Sequence, residues 1–259
     1  MKKDTVSFDG ISMDYCVFGH GPKTLVIVPG VSLCKVTGSY EIIAEQYKLF
    51  HEEYTVYVFD RRNDMPAGYS IEEAAEDVVG AMKVLGLGKS SFLATSQGGM
   101  IELMIGLEHP ELVDRMAVIS STARVNDTMR SSIGRWVEWS KAGNMKALID
   151  DIGEKLYTKN FVDNYYPAEA LLKTSQEDME RFIIQCEASP DFDIYDRLGE
   201  IKFPVLVAGP EVDDVTSAEA AAEIAEKLGC PHHTFPGYKH SFYDECPELY
   251  ELYGEFFLG

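Results

Sequence analysis

Positive charge is scarce in this sequence. Its 23 Lys and Arg residues stand against 43 Asp and Glu residues, which gives a formal net charge of −20. Such a surface repels phosphate backbones and anionic lipids, so we predict neither a nucleic-acid nor a membrane partner. No apolar run is long enough to span a bilayer, and the polar residues near the start offer no signal-peptide core. These absences predict a cytoplasmic protein.

Cysteine is also sparse, and its spacing excludes two kinds of site. The five cysteines are scattered, without the paired short spacings of a disulfide framework or a structural zinc site. Cys230 lies near His232 and His233, but this group is too compact and lacks a fourth ligand. We therefore predict no metal site and a reducing compartment.

What is present is the composition of one globular domain. The chain has 259 residues, of which 46% are apolar and 25% charged, enough for a single buried core. Short apolar segments rich in branched residues alternate with helical patterns, which is typical of a parallel sheet with helices on both faces. Asp9-Gly10 predicts a hairpin turn before this alternation begins, and Ser70 with Glu73 predicts a capping box. The predicted strands are 24–29, 54–59, 91–94, 116–119, 205–208 and 233–235. The predicted helices are 40–50, 71–85, 98–108, 217–228 and one that begins at Pro247.

The alternation is interrupted once. Between Thr122 and Phe203 the sequence shows helical patterns at 129–141, 145–157 and 177–188, and no convincing strand. We predict that residues 122–203 form a helical insertion in a core made by residues 1–121 and 204–259.

The segment Ala94-Thr95-Ser96-Gln97-Gly98-Gly99 lies where a predicted strand ends and a predicted helix begins. A serine in such a strained strand-to-helix turn is exposed as a nucleophile, and it needs small residues two positions before and after it. Gly98 meets this need, and Ala94 is small enough. A turn with an N-capping serine is the simpler explanation, but the flanking strand and helix favour Ser96 as a nucleophile.

A serine nucleophile needs a base and a group that orients the base. His240 lies in a loop after the last predicted strand, where a side chain can be presented above the sheet. The loop after strand 205–208 carries three carboxylates, and we predict Asp213 as the orienting acid, with Asp214 second and Glu211 third. Each of these could instead be a turn or capping residue.

Hydrolysis at such a serine also needs two N–H donors for the developing oxyanion. The first predicted donor is the backbone of Gln97, which follows the nucleophile. The second is the backbone of Val31, in the Pro29-Gly30-Val31-Ser32 loop after the first central strand.

Taken together, these segments resemble the α/β-hydrolase superfamily, most closely its small bacterial esterase-like and lactonase-like members. The resemblance covers nearly the whole chain and implies an eight-stranded, mostly parallel sheet with a helical cap. It also implies no metal and no organic cofactor. Aromatic side chains of the insertion would then line the substrate pocket, and we predict Trp136 and Trp139 as substrate-binding residues, with simple packing as the alternative.

The predicted function is that of a serine hydrolase that cleaves a small-molecule acyl substrate, such as a small carboxylic ester, through an acyl-enzyme. Two alternatives remain open. The scaffold could bind a ligand without turnover, or it could transfer the acyl group to peroxide, as perhydrolase relatives do. The expected state of assembly is a monomer or a homodimer.

Overall fold

The computed structural model describes residues 2–259 and contains one eight-stranded sheet. Its strand order is β1-β2-β4-β3-β5-β6-β7-β8. The β1–β2 and β2–β4 pairings at one edge are antiparallel, and the other five are parallel. The strands are β1 (Lys2–Phe8), β2 (Ile11–Gly19), β3 (Lys23–Val28), β4 (Tyr54–Arg62), β5 (Ser90–Thr95), β6 (Val113–Ile119), β7 (Val205–Pro210) and β8 (His232–Phe235).

Helices cover both faces of the sheet. On one face, α2, α3 and α9 contribute to the larger apolar core, and on the other face α1 and α10 contribute to a second one. These helices are α1 (Tyr40–Gln46), α2 (Ile71–Val84), α3 (Gln97–Glu108), α9 (Ala218–Leu228) and α10 (Pro247–Leu258). Within residues 2–259, no helix combines the length and the apolar character needed to cross a membrane.

Five more helices lie between β6 and β7, in the segment where the sequence pattern changes. They are α4 (Asp127–Lys141), α5 (Met145–Leu156), α6 (Lys159–Asn164), α7 (Ala168–Leu171) and α8 (Gln176–Glu187). Their apolar side chains form a third cluster, which also includes Leu33 and Val215 from loops of the sheet. The helical segment therefore packs directly on the loops at the carboxyl ends of β3 and β7.

The predicted fold class is confirmed, and most predicted elements lie within a few residues of the observed ones. Asp9 and Gly10 adopt positive φ values of 48° and 79°, as the predicted two-residue hairpin turn requires. The Ser70 side chain and Glu73 form the predicted capping box at the start of α2. The short helices α6 and α7 were missed because six and four residues are too few to show a helical period.

One carboxyl group lies inside the core without a partner. Glu102, in the middle of α3, is fully buried, and neither of its carboxyl oxygens forms a hydrogen bond within residues 2–259. Burial is the largest effect and raises the pKa of Glu102 well above its ordinary value. The backbone of Val28 acts in the opposite direction but does not outweigh burial. The interior therefore favours the protonated acid, since burial removes the water that would solvate the charged form.

Replacing Glu102 by glutamine is expected to make stability less dependent on pH. The unfolded chain loses this proton near pH 4.5, whereas the folded chain keeps it to higher pH. The wild type should therefore lose stability as the pH rises above about 4.5, by at most about 1.4 kcal/mol per pH unit. The measurement is urea denaturation of both proteins at pH 5 and pH 8. The free energy of unfolding of E102Q minus that of the wild type should be larger at pH 8 than at pH 5.

The matched control is Glu226→Gln, which changes an exposed glutamate of α9 and should alter stability by less than about 0.5 kcal/mol at either pH. If the free energy of unfolding changed with pH in the same way for E102Q and the wild type, the Glu102 carboxyl would titrate alike in the folded and unfolded chain, which contradicts the prediction.

Candidate active site

Ser96 lies at the turn between β5 and α3, with φ 53° and ψ −126°. Such a backbone is strained for a residue with a side chain, and it holds the partly exposed serine above the edge of the sheet. The turn is tight: a Cβ on Gly98 would lie 1.9 Å from the Val28 carbonyl oxygen, and one on Gly30 would lie 2.9 Å from the Ser96 Cβ. Only glycine fits at position 98, because the atom it would meet belongs to the backbone.

Three side chains from distant parts of the chain form one hydrogen-bonded line. The Nε2 atom of His240 lies 2.9 Å from the Ser96 Oγ. The Nδ1 atom of His240 lies 3.0 and 2.9 Å from the two carboxyl oxygens of Asp213. The structure thus brings together the three residues that the sequence predicted as nucleophile, base and orienting acid.

Asp213 is held as a charged acceptor. Its Oδ1 accepts from the backbone N–H groups of Val215 and Thr216, and its Oδ2 accepts from the Thr216 hydroxyl, each at 2.8 Å. Burial alone would raise the pKa of Asp213, but the facing His240 and the Thr216 donors outweigh burial, so the pKa lies below its ordinary value. The competing Asp214 and Glu211 are exposed residues of the same loop.

The loop that carries His240 is fixed from two sides. The Ser120 hydroxyl donates to the His240 carbonyl at 2.7 Å, and the Ser241 N–H donates to the Leu156 carbonyl at 2.8 Å. The sequence analysis missed both Ser120 and Thr216. Hydroxyl residues are common in loops, and no spacing in the sequence relates these two to Asp213 or His240.

The two predicted oxyanion donors flank the turn. Gln97 is the first residue of α3, so its N–H has no acceptor inside the helix. Val31 follows Gly30, the residue in close contact with Ser96, and within residues 2–259 its N–H donates to no backbone carbonyl. Neither N–H group thus has a backbone acceptor within residues 2–259, and the oxyanion role of both stays a prediction.

A buried arginine ties these two donor segments together. The Arg61 Nη2 donates to the Pro29 carbonyl at 2.9 Å and to the Gln97 Oε1 at 3.2 Å. Burial lowers the pKa of Arg61 from its usual value, and Asp60 beside it supplies negative charge.

The two tryptophans of α4 have different surroundings. Trp136 is buried, its Nε1 donates to the Asp151 Oδ2 at 2.8 Å, and it belongs to the apolar cluster that includes Leu33 and Val215. Trp139 is partly exposed at the edge of that cluster, and the Arg135 guanidinium lies over its ring. A direct role of either ring in substrate binding stays a prediction.

The helical segment is bonded to the loops that carry the site. Asn126 and Ser132 bind the loop after β7, and residues 156–158 bind the His240 loop. The bonds are Asn126 Nδ2 to the Thr216 carbonyl (2.7 Å), Ser132 Oγ to the Asp214 carbonyl (2.6 Å), Thr158 N to Glu245 Oε1 (3.0 Å) and Ser241 N to the Leu156 carbonyl (2.8 Å). This segment therefore takes part in fixing the loops that carry Asp213 and His240.

Within residues 2–259, no group of three or more His, Cys, Asp or Glu side chains is arranged to hold a metal ion. His232 and His233 lie on β8, away from the line formed by Ser96, His240 and Asp213.

Two features define the class of this protein. One is the mostly parallel sheet with helices on both faces, and the other is the strained serine at a strand-to-helix turn with a histidine within hydrogen-bonding distance. The family model described as the alpha/beta hydrolase fold matches residues 23–247. The chain belongs to this family, and the prediction of an α/β-hydrolase enzyme is confirmed at the level of the class.

Individual relatives are distant. A protein of Caulobacter segnis named "Putative carbamate hydrolase RutD" is 25% identical over 211 residues, which cover 74% of this chain and 76% of that protein. The enol-lactonase from Burkholderia xenovorans LB400 has a TM-score of 0.84 at 19% identity, covering 98% of this chain and 99% of its own. MGS-M2, an alpha/beta hydrolase enzyme from a Medee basin deep-sea metagenome library, has a TM-score of 0.89 at 19% identity, covering 99% and 98%. At 19% identity, these two structures show similarity of fold alone.

Proposed function

We propose that this protein is a serine hydrolase that cleaves a small carboxylic ester or a related acyl compound through an acyl-enzyme. The observation that carries the proposal is the unbroken hydrogen-bonded line from Asp213 through His240 to the Ser96 Oγ. Structural packing alone does not require a buried carboxylate, a buried imidazole and a strained serine in this order, whereas nucleophilic catalysis does.

In the proposed mechanism, His240 Nε2 takes the proton of the Ser96 hydroxyl as Oγ attacks the substrate carbonyl carbon. Asp213 holds the proton on Nδ1, which keeps Nε2 free as the acceptor and stabilises the imidazolium. The backbone N–H groups of Val31 and Gln97 bind the oxyanion. His240 then protonates the leaving alcohol as the bond between this oxygen and the acyl carbon breaks, which leaves the acyl group on Ser96. A water molecule gives a proton to the same imidazole as it attacks the acyl carbon. The imidazolium returns this proton to the Ser96 Oγ as the acyl–Oγ bond breaks, which releases the acid.

We further propose that residues 122–203 form a cap that supplies the wall of the substrate pocket. The apolar cluster of Leu33, Trp136, Leu148 and Val215 holds this segment against the loops after β3 and β7, next to Ser96 and Asp213, where a wall of the pocket would have to lie. The names of the relatives extend the candidate substrates from esters to lactones and carbamates.

The test is covalent labelling. A fluorophosphonate probe should label the wild type at Ser96 and leave Ser96→Ala unlabelled, while para-nitrophenyl acetate should give a burst of para-nitrophenol with the wild type alone. A panel of ester, lactone, amide and carbamate substrates, with S96A as the blank, would then define the bond cleaved.

Absence of labelling in correctly folded wild-type protein would favour a ligand-binding scaffold without turnover. Comparing water with peroxide as the acyl acceptor separates a hydrolase from a perhydrolase.

A further inference from the structure

Gln185 of α8 contacts the loop of Val31, and the proposed mechanism gives this contact no role. Its side chain is buried, and its amide pairs with the backbone of Ser32. The Ser32 N–H donates to the Gln185 Oε1, and the Gln185 Nε2 donates to the Ser32 carbonyl, both at 3.3 Å. Because a primary amide has the same donor and acceptor as a peptide unit, this pair of bonds fixes both the position and the tilt of the Ser32 backbone.

Ser32 is one residue beyond Val31, the proposed second oxyanion donor. The loop that contains both runs from the end of β3 to a short 3-10 turn that begins at Val36. Its ends are fastened by Arg61, which binds the Pro29 carbonyl at 2.9 Å, and by Asp60, whose Oδ2 accepts from the Val36 N–H at 3.0 Å. Between these ends, Gln185 is the support that reaches the loop from α8.

Gln185 also contacts the other donor residue. Its backbone carbonyl accepts a hydrogen bond of 2.6 Å from the Gln97 Nε2, and Arg61 binds the Gln97 Oε1 from the opposite side. One residue of α8 is therefore bonded to the loop that holds the Val31 N–H and to the residue that carries the other N–H.

The position of Gln185 is itself fixed one helical turn away. Arg181 is buried, and its guanidinium donates to the Arg62 and Asn63 carbonyls at 2.9 and 3.0 Å and to the Asp60 Oδ1 at 3.2 Å. Arg181 thus forms three hydrogen bonds with the end of β4 and the residue that follows it, so α8 cannot shift without breaking them.

We propose that Gln185 is a positioning residue that sets the spacing of the oxyanion hole through Ser32 and Gln97. The inference rests on the proposed function, since it assigns Gln185 to the same reaction. Gln185 does not touch the substrate in this proposal. It keeps the Val31 and Gln97 N–H groups aimed at the place where negative charge develops, and a displacement of about 1 Å there costs up to about 100-fold in rate.

The test is Gln185→Met, which keeps the length and volume of the side chain and removes the two bonds to Ser32. The bond from Gln97 to the Gln185 backbone carbonyl stays, so the variant tests the support of the Ser32 loop. With para-nitrophenyl acetate, kcat should fall about 10- to 100-fold while KM changes less than about threefold. The rate of fluorophosphonate labelling should fall in parallel, because phosphonylation of Ser96 uses the same donors. Gln185→Glu keeps the acceptor for the Ser32 N–H, so it should recover part of the rate; it also carries the test if the methionine variant does not fold.

The matched control is Glu180→Gln, at an exposed position of the same helix, which should match the wild type in kcat, KM and melting temperature. A folded Q185M protein with unchanged kcat would overturn the inference, and so would a change confined to KM. A wild type that reacts with neither probe would instead contradict the proposed function, so the two failures are distinguishable.

Discussion

Replacing Asp213 by asparagine is expected to lower kcat by about 10,000-fold. The carboxylate of Asp213 accepts from His240, from two backbone N–H groups and from the Thr216 hydroxyl. An amide has a single acceptor oxygen, so its NH₂ group must meet one of these donors. If the NH₂ group faces the imidazole, it stabilises the tautomer with the proton on Nε2, which cannot accept the proton of Ser96.

The neighbouring residue provides the control, because Asp214→Asn makes the same chemical change at an exposed position of the same loop. Its kcat should stay within about twofold of the wild type, as for an ordinary surface substitution. Both rates are measured with para-nitrophenyl acetate on protein whose melting curve matches the wild type. Loss of activity in the Asp214 variant alone would show that the acid has been assigned to the wrong residue.

Gly98→Ala is expected to destabilise the protein by about 3 kcal/mol and to lower kcat of the remaining folded protein by about 100-fold. The added methyl group would lie 1.9 Å from the Val28 carbonyl oxygen and 2.8 Å from that of Pro29. Val28 ends β3, and Pro29 begins the oxyanion loop, which we define as residues 29–32. The clash can therefore be relieved only if α3 moves away from this loop. That movement displaces Ser96 and both proposed oxyanion donors.

Gly134→Ala tests whether the effect comes from this contact. Gly134 lies in α4, and a Cβ there would meet no atom within 4 Å, so alanine should stabilise the protein by about 0.5 to 1 kcal/mol. Urea denaturation of the two variants side by side gives the comparison. An equal, small effect at both positions would mean that the turn relaxes more easily than its geometry indicates.

The fold could be predicted because local patterns decide most of it. Buried parallel strands are continuous apolar runs, and the capping box at Ser70 marks the start of α2 without any tertiary information. The three side chains of the hydrogen-bonded line were also predictable, since the Ser96 turn has a local signature and the order of strands and helices limits which loops can meet it. The choice of Asp213 over Asp214 agrees with the observed hydrogen bonds to His240; the catalytic role itself stays a prediction.

The supporting residues could not be predicted. Ser120, Arg181 and Gln185 act through contacts with residues far away in the sequence, and a single sequence carries no sign of such pairs. Arg181 and Gln185 even conflict with the local pattern, because long polar side chains on an amphipathic helix are expected to face solvent. They are buried in α8 because the oxyanion loop and the end of β4 expose backbone groups that need partners.

The bonds between the helical segment and the catalytic loops have a consequence for engineering this protein. The segment is bonded to the loop of Asp213 at Thr216 and Asp214, and to the loop of His240 at Ser241 and Glu245. It is also bonded to Ser32 through Gln185. We therefore expect that these helices cannot be exchanged as a unit. Transplanting these helices from another protein would alter the surroundings of Ser96, Asp213 and His240 along with the proposed pocket. Selectivity is better redesigned one inward-facing side chain at a time, with the bonded positions left unchanged.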